Sequence, residues 1–487
     1  MHKTKKIRSS YFNPIMQSVE KSNKKCFEMT DLSILNIPAQ FLIKEDVSRN
    51  PEGQTAKLCS QFISDNRGLL HDFGVTVDSK YDGQKVYLTF STSNRIGALP
   101  LLSPTSGKPD YGLVIKPRFD WSGLGPMMSV MGWKVVPTPL KLPLIPGTER
   151  KVPTWVLSSI ILNRIQALLE QLNRTFEFIE SDLKAPKGTV NWNLYAIERI
   201  PSVKFLNIPC RYPDLRDNEE LKSTIHFTLR KLLSSLESQR ASGIFILQLL
   251  EQCMALIARV NKVTPKRPTT LNLFSWNNLP IQRDAFRKGL EAIEWTIDER
   301  GLAGLGDLLG LPWIMPMETF FEAWLETIGN SLIRKIGGNL RTGRKRETIT
   351  PISWIPPFVG SQKYLLPDVI IEKENEIIIL DAKYKEHWEE MNFNSWTNLE
   401  DEIREKHRED LLQILAYSTV TDKKTITSCL IYPCKNSTWD SMISRKRTFH
   451  KASLYAGQRK INLLLTAIPM KANFNAAIDA LSYALQN

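Results

Sequence analysis

Two nearly unbroken apolar runs dominate the hydrophobic pattern of the chain. They are Leu366-Pro367-Asp368-Val369-Ile370-Ile371-Glu372 and Glu376-Ile377-Ile378-Ile379-Leu380-Asp381-Ala382-Lys383-Tyr384-Lys385, separated by Lys373-Glu374-Asn375. Each is rich in β-branched residues and ends in charge, which predicts a strand buried on both faces. A turn centred on Glu374 and Asn375 makes the pair an antiparallel hairpin with Asp368 directly across from Asp381. Period-2 alternation keeps Lys383 on the same face as Asp381.

Around this hairpin the pattern predicts a layered α/β unit. Met317 to Ile336 is helical, with Phe321, Leu325, Ile328 and Leu332 on one face and Glu318, Glu322 and Glu326 recurring beside it. Asp401 to Thr419 is helical and carries Gln413 and Tyr417 four apart on one face, with Asp410 three before Gln413. Thr425 to Tyr432 is a further buried strand, so the helix between strands implies a parallel, right-handed crossover.

Upstream the rhythm differs. Residues 1–26 form a basic, polar tail. From 27 to 145, short alternating runs broken by Gly and Pro predict a β-rich, partner-facing N-terminal domain. A Pro-rich segment, Pro137 to Pro153, leads into amphipathic helices over Val156 to Leu172, Asp217 to Leu236 and Ile244 to Val260, with Asp217 or Asn218 as a cap. Residues 146–304 are thus expected to be a helical middle domain, with His226 as a packed histidine, and 305–487 the hairpin-containing domain. The fold class expected is multidomain α+β.

The hairpin brings candidate chemistry with it. Facing carboxylates about 5 Å apart destabilise a sheet unless a cation lies between them. Asp368, Asp381 and the Ala382 carbonyl suit Mg²⁺, with Mn²⁺ as the alternative ion, and Lys383 adds an amine, as phosphodiester hydrolysis requires. A solvated surface hairpin would carry the same short pattern; the apolar flanks argue against it. One of Glu318, Glu322 and Glu326 could supply a third acid. Arg341, Arg344, Lys345, Arg346 and Lys385 are candidate contacts for a phosphate backbone.

At 487 residues there is room for two or three cores, and a formal charge of +13 favours an anionic partner such as nucleic acid. The six cysteines form no CxxC pair, which points to a reducing cytoplasm and away from structural zinc. Neither a signal peptide nor a membrane span is expected.

Pro367-Asp368, Asp381-Ala382-Lys383 and Gln413 with Tyr417 together resemble the PD-(D/E)xK nucleases of the QxxxY branch. Within them the chain is similar to the McrC-like subunits of McrBC-type modification-dependent restriction systems. That likeness extends to Gly97 to Leu101, Leu113 to Trp121, Met127-Met128, Pro186 to Gly188, Cys210 to Tyr212 and Met317 to Glu322. It implies a C-terminal restriction-endonuclease-like α/β domain and a Mg²⁺-dependent endonuclease subunit in a bacterial, cytoplasmic anti-phage defence complex. Double-stranded DNA would be cut in concert with an AAA+ GTPase or ATPase of McrB type, within a hetero-oligomer. Asp368, Asp381 and Glu322 would bind metal, Lys383 would orient water or stabilise charge, and Gln413 and Tyr417 would support the site. The chain departs from many relatives in having Asp381 where they have Glu. It contains no GxxxxGK[ST] motif, so a motor must come from another polypeptide. Two alternatives stay open: an assembly subunit that activates an AAA+ partner with a secondary or silent nuclease site, and a stand-alone RecB-like repair nuclease.

Overall fold

The computed structural model describes residues 25–42, 51–83, 85–119, 121–140, 142, 145–146, 154–172, 175–216, 218–242, 244–277, 284–298, 309–385, 388 and 401–486. The tail over residues 1–24 and most of the Pro-rich segment 137–153 lie outside them. The fold is mixed α/β, with several separate sheets.

A five-stranded sheet orders Lys25–Thr30, Tyr111–Lys116, Arg95–Leu101, Trp313–Pro316 and Thr138–Pro139. Its first pair is parallel and the others antiparallel. The strand Trp313–Pro316 returns from far along the chain, and Gly97 makes room for it. Gly97 sits at φ +149, and a Cβ there would lie 2.1 Å from the Trp313 carbonyl oxygen. A second, antiparallel sheet pairs Ile34–Pro38 and Val75–Asp82 with Lys85–Thr92. This region was expected to be β-rich, yet it also contains the helix Pro51–Phe73. The apolar residues Cys59, Phe62, Leu70 and Phe73 bury one side of it against the second sheet. Its low apolar content over the remaining positions hides it from a pattern reading.

The middle of the chain has the expected helices Thr154–Gln171, Glu219–Glu237 and Ile244–Val260, joined by Asp284–Ile297. Asn218 caps the second, accepting from the Leu221 N–H at 3.0 Å. His226 is buried, with Nδ1 2.7 Å from the Val263 carbonyl. This region is not wholly helical. Thr175–Leu183, Thr189–Val190 and Ile208–Arg216 form an antiparallel sheet, and between the last two lie a short helical segment, Trp192 to Arg199, and turns, with Trp192, Ile197, Val203, Phe205 and Leu206 exposed. Their charge-interrupted sequences carry too little alternation to read as strands.

The last part is a six-stranded sheet in the order Asn339–Thr342, Val369–Glu372, Glu376–Ala382, Thr425–Cys434, Arg459–Pro469, Phe449–Ala456. Val369 pairs antiparallel with Leu380, and Glu372 with Ile377. Thr425–Cys434 runs parallel to Glu376–Ala382, with the helix Asp401–Tyr417 as crossover. The helices Met317–Ile336 and Asn475–Gln486 pack against the sheet and each other. Val369, Ile371, Ile378, Ile379 and Leu380 are wholly buried, because helices or further strands cover both faces. Among the described residues, no helix is long and apolar enough to cross a membrane.

Candidate active site

The hairpin register sets the site. Continuing the Val369–Leu380 pairing by one step places Asp368 opposite Asp381. Both acids stand where the sheet's last strand pairs open outward. Asp368 Oδ2 accepts the Ala382 N–H at 2.7 Å, so Ala382 contributes its amide to the site. Asp381 is 2% exposed. Its Oδ2 is ion-paired with Lys383 Nζ at 2.7 Å.

Lys383 Nζ also donates to Gln413 Oε1 at 2.7 Å. Gln413 Nε2 donates to Tyr417 Oη at 2.8 Å, and Tyr417 Oη in turn donates to the Leu366 carbonyl at 3.3 Å. The helix spacing of four puts Gln413 and Tyr417 on one face, and that face meets the hairpin's open end. The relay therefore links the amine to the backbone just before Pro367-Asp368.

The electrostatics are those of crowded acids. Burial raises the Asp368 pKa well above the ordinary carboxylate value, and the charges of Asp381 and Glu322 push it further. Burial raises Asp381 as well, against the pull of Lys383. Glu322 is pushed up to about 7 by burial, with Glu318 and Asp381 adding to it and Arg344 opposing. For Lys383, burial disfavours the ammonium, but Asp381, Asp410 and Asp368 outweigh it and leave the pKa raised.

The donor set is carboxylate oxygen, suited to a hard divalent cation. Two buried carboxylates, Asp368 and Asp381, each held above its ordinary pKa by burial, fit such an ion, which would relieve both acids. Among the described residues, no three His, Cys, Asp or Glu side chains converge closely enough to hold a metal together, so Glu322 is not placed with Asp368 and Asp381 as a third ligand.

A family model described as "McrBC 5-methylcytosine restriction system component" matches residues 147–433. The chain belongs to the McrBC family. No curated protein matches this McrBC-family chain. Among solved structures it is similar to a half-complex from a tetradecameric assembly of Thermococcus gammatolerans McrB AAA+ hexamers with bound McrC. Identity is 12% and the TM-score 0.43, covering 95% of this chain and 99% of that one. It is also similar to the Thermococcus gammatolerans McrBC complex, at 12% identity and TM-score 0.26, covering 63% and 88%. The family span includes all of Asp368, Asp381, Lys383, Gln413 and Tyr417.

The three helix acids of this McrBC-family chain separate by environment. Glu318 is exposed and accepts from Asn94 Nδ2 at 2.7 Å. Glu326 is buried in ion pairs with Lys134 at 2.8 Å and Arg344 at 3.4 Å. Glu322, half-buried, is the one whose charge Asp368 feels. The basic candidates also divide. Arg341 bonds the Glu347 carbonyl, Arg344 pairs with Glu326, and Lys385 Nζ lies 2.6 Å from the buried Asp410. Lys345 and Arg346 are exposed, with no ion-pair partner among the described residues.

Two elements of the surroundings go beyond the sequence expectations, which place Asp410 beside Gln413 without a role and do not include Asp31. Asp410 accepts from Tyr432 Oη at 2.9 Å as well as from Lys385, and both Asp381 and Lys383 feel its charge. Asp31 accepts from Tyr384 Oη at 2.7 Å and from the Arg118 N–H at 2.8 Å. Helical spacing on the Gln413 face hinted at the first. Nothing local to Asp31 signals the second.

Proposed function

We propose that the chain is the DNA-cleaving subunit of a McrBC-type restriction complex, with a C-terminal domain of the PD-(D/E)xK class. The observation that carries this is the juxtaposition of Asp368, Asp381 and Lys383 at the open end of one hairpin, the lysine 2.7 Å from an acid oxygen. Family membership supports the restriction role. The division at about residues 26 and 145 is retained as the proposed domain plan, while the last boundary, expected near 304, moves to the start of the helix Met317–Ile336, because Trp313–Pro316 pairs into the N-terminal sheet.

Asp368 and Asp381 would hold Mg²⁺, or Mn²⁺, through carboxylate oxygens, with Glu322 facing the site through water. The ion would supply Lewis-acid stabilisation of the phosphoryl oxygens and a more acidic water. Lys383, held by Gln413 and Tyr417, orients the attacking water and offers positive charge where the phosphorane gains negative charge. Glu322, half-buried and close enough for Asp368 to feel its charge, would accept a hydrogen bond from that water. The motor is proposed to be a separate AAA+ protein, and the exposed Trp192, Ile197, Val203, Phe205 and Leu206 suit burial against a protein partner.

The test is DNA cleavage in Mg²⁺ with the AAA+ partner present, comparing the natural chain with Asp381→Asn, Asp368→Asn and Lys383→Ala. Loss of cutting in each, with partner binding retained, is expected. Cutting at the natural rate by all three would refute the reading. Full stimulation of the partner's nucleotide hydrolysis by the non-cutting Asp381→Asn chain would show the assembly role to be separable.

A further inference from the structure

Between the strands Thr350–Pro351 and Tyr364–Leu365 the chain projects a short loop whose apolar side chains face water. Ile355 is 96% exposed and Val359 82%, with Phe358 and Trp354 exposed beside them. Such exposure costs free energy in a free-standing protein and marks a contact surface. The loop is braced in this shape. Trp354 Nε1 donates to the Gln362 carbonyl at 2.8 Å, Ile352 N to the Lys363 carbonyl at 2.8 Å, and Gln362 Nε2 to the Tyr364 carbonyl at 2.9 Å. The rings of Trp354 and Phe358 meet edge to face at 6.2 Å, and Pro356 and Pro357 stiffen the tip.

The base of the loop is stitched to the candidate site. Thr348 Oγ1 donates to the Pro367 carbonyl at 2.6 Å and Gly343 N to the Asp368 carbonyl at 2.7 Å. Leu365 stands three residues before Asp368, about 10 Å of extended chain. Charge identifies what the loop meets. From Thr348 to Leu366 there is no Asp or Glu, and along the sequence the exposed Lys345 and Arg346, followed by Glu347, precede the loop while the exposed Lys363 closes it. An acid-free apolar loop with cations at both of its sequence ends fits a polyanion with a stacked interior.

We infer that residues 352–362 form a wedge for duplex DNA, with Ile355 and Val359 entering between base pairs in the minor groove beside the phosphate to be cut and Lys345, Arg346 and Lys363 holding the backbone. The inference rests on the reading of Asp368 and Asp381 as a DNA-cleaving centre. Its role is to bend and locally unstack the duplex, fixing the scissile phosphate against the hairpin's open end.

The experiment uses the full chain carrying Asp381→Asn, so that DNA is not cut, and a short duplex containing 2-aminopurine, whose fluorescence rises on unstacking. Binding should raise the signal. Adding Ile355→Ser with Val359→Ser should abolish the rise and weaken binding about tenfold, since an unfilled step loses contacts of about that size. Ile355→Phe, which keeps an apolar wedge, should retain it. Lys345→Ala with Arg346→Ala should lower the slope of log affinity against log salt by about 2.

An unchanged rise and affinity in the double serine variant overturns the wedge. So does loss of self-association or of AAA+ partner binding with DNA affinity intact, which would assign the loop to a protein contact. The two readings fail separately. A natural chain that unstacks DNA but never cuts it in Mg²⁺ with the motor sinks the nuclease and leaves the wedge. Cutting at the natural rate without dependence on Ile355 and Val359 does the reverse.

Discussion

Tyr384 Oη donates a 2.7 Å hydrogen bond to Asp31 Oδ2 across 353 residues of sequence. Tyr384 lies between Lys383 and Lys385, so this bond fixes the strand exit that carries both amines. Arg118 seals the junction, its guanidinium stacked 4.7 Å over the rings of both Phe119 and Tyr384. Tyr384→Phe removes one donor from a buried carboxylate and is expected to cost about 1–3 kcal/mol. Urea unfolding of both chains measures it; an unchanged midpoint and slope would mean the bond contributes nothing.

Asp31 also makes a pH prediction. Burial raises its pKa above the ordinary 3.8, and this outweighs the lowering by Arg118 and by the hydrogen bond from Tyr384. A folded-state pKa above the unfolded value means the folded state holds the proton more tightly. The associated stability is present below 3.8 and is lost as pH rises through the raised value. Relative to Asp31→Asn, which cannot ionise, the natural chain should therefore lose stability as pH climbs from the unfolded value. A difference that stays flat across that window would contradict the assignment.

Lys383 depends on Gln413 for its aim. Deleting the side-chain amide with Gln413→Ala leaves the ammonium its ion pair with Asp381 alone and drops the relay to Tyr417. The expected result is a fall in kcat for Mg²⁺-dependent DNA cleavage of about 10 to 100-fold, as for loss of a positioned charge-stabilising group, with KM for DNA little changed. Tyr417→Phe, which keeps the ring and loses only the far end of the relay, should cost less. Equal effects in the two variants would place Tyr417 at the chemistry.

The hairpin was legible because its signal is local. Apolar runs of β-branched residues, a turn between them and a fixed register place Asp368 across from Asp381 before any tertiary contact is considered. The Gln413–Tyr417 face follows from helical spacing in the same way. What escaped is non-local or weakly patterned. The strand Trp313–Pro316 joins a sheet begun nearly 300 residues earlier through the space left at Gly97, and no periodicity encodes that partner. The fate of the basic residues depends on acids elsewhere: Glu326 occupies Arg344 and Asp410 occupies Lys385, while their neighbours Lys345 and Arg346 stay exposed.

Crowding of Asp368 and Asp381 makes a prediction independent of turnover. Both carboxylates are held above their ordinary pKa, chiefly by burial, and each is disfavoured further when a neighbouring acid ionises. A divalent cation binding only the folded chain removes that penalty and stabilises the fold by RT ln(1 + [M]/Kd), about 2.7 kcal/mol at a hundredfold excess over Kd. Thermal unfolding of the full chain, without DNA or nucleotide, should therefore move upward as Mg²⁺ or Mn²⁺ is added, and EDTA should reverse it. Asp381→Asn should start from an equal or higher stability, because it relieves the repulsion, and should respond far less to the metal. If the natural chain and Asp381→Asn gain equally from Mn²⁺, the ion binds elsewhere and the two acids are not its site.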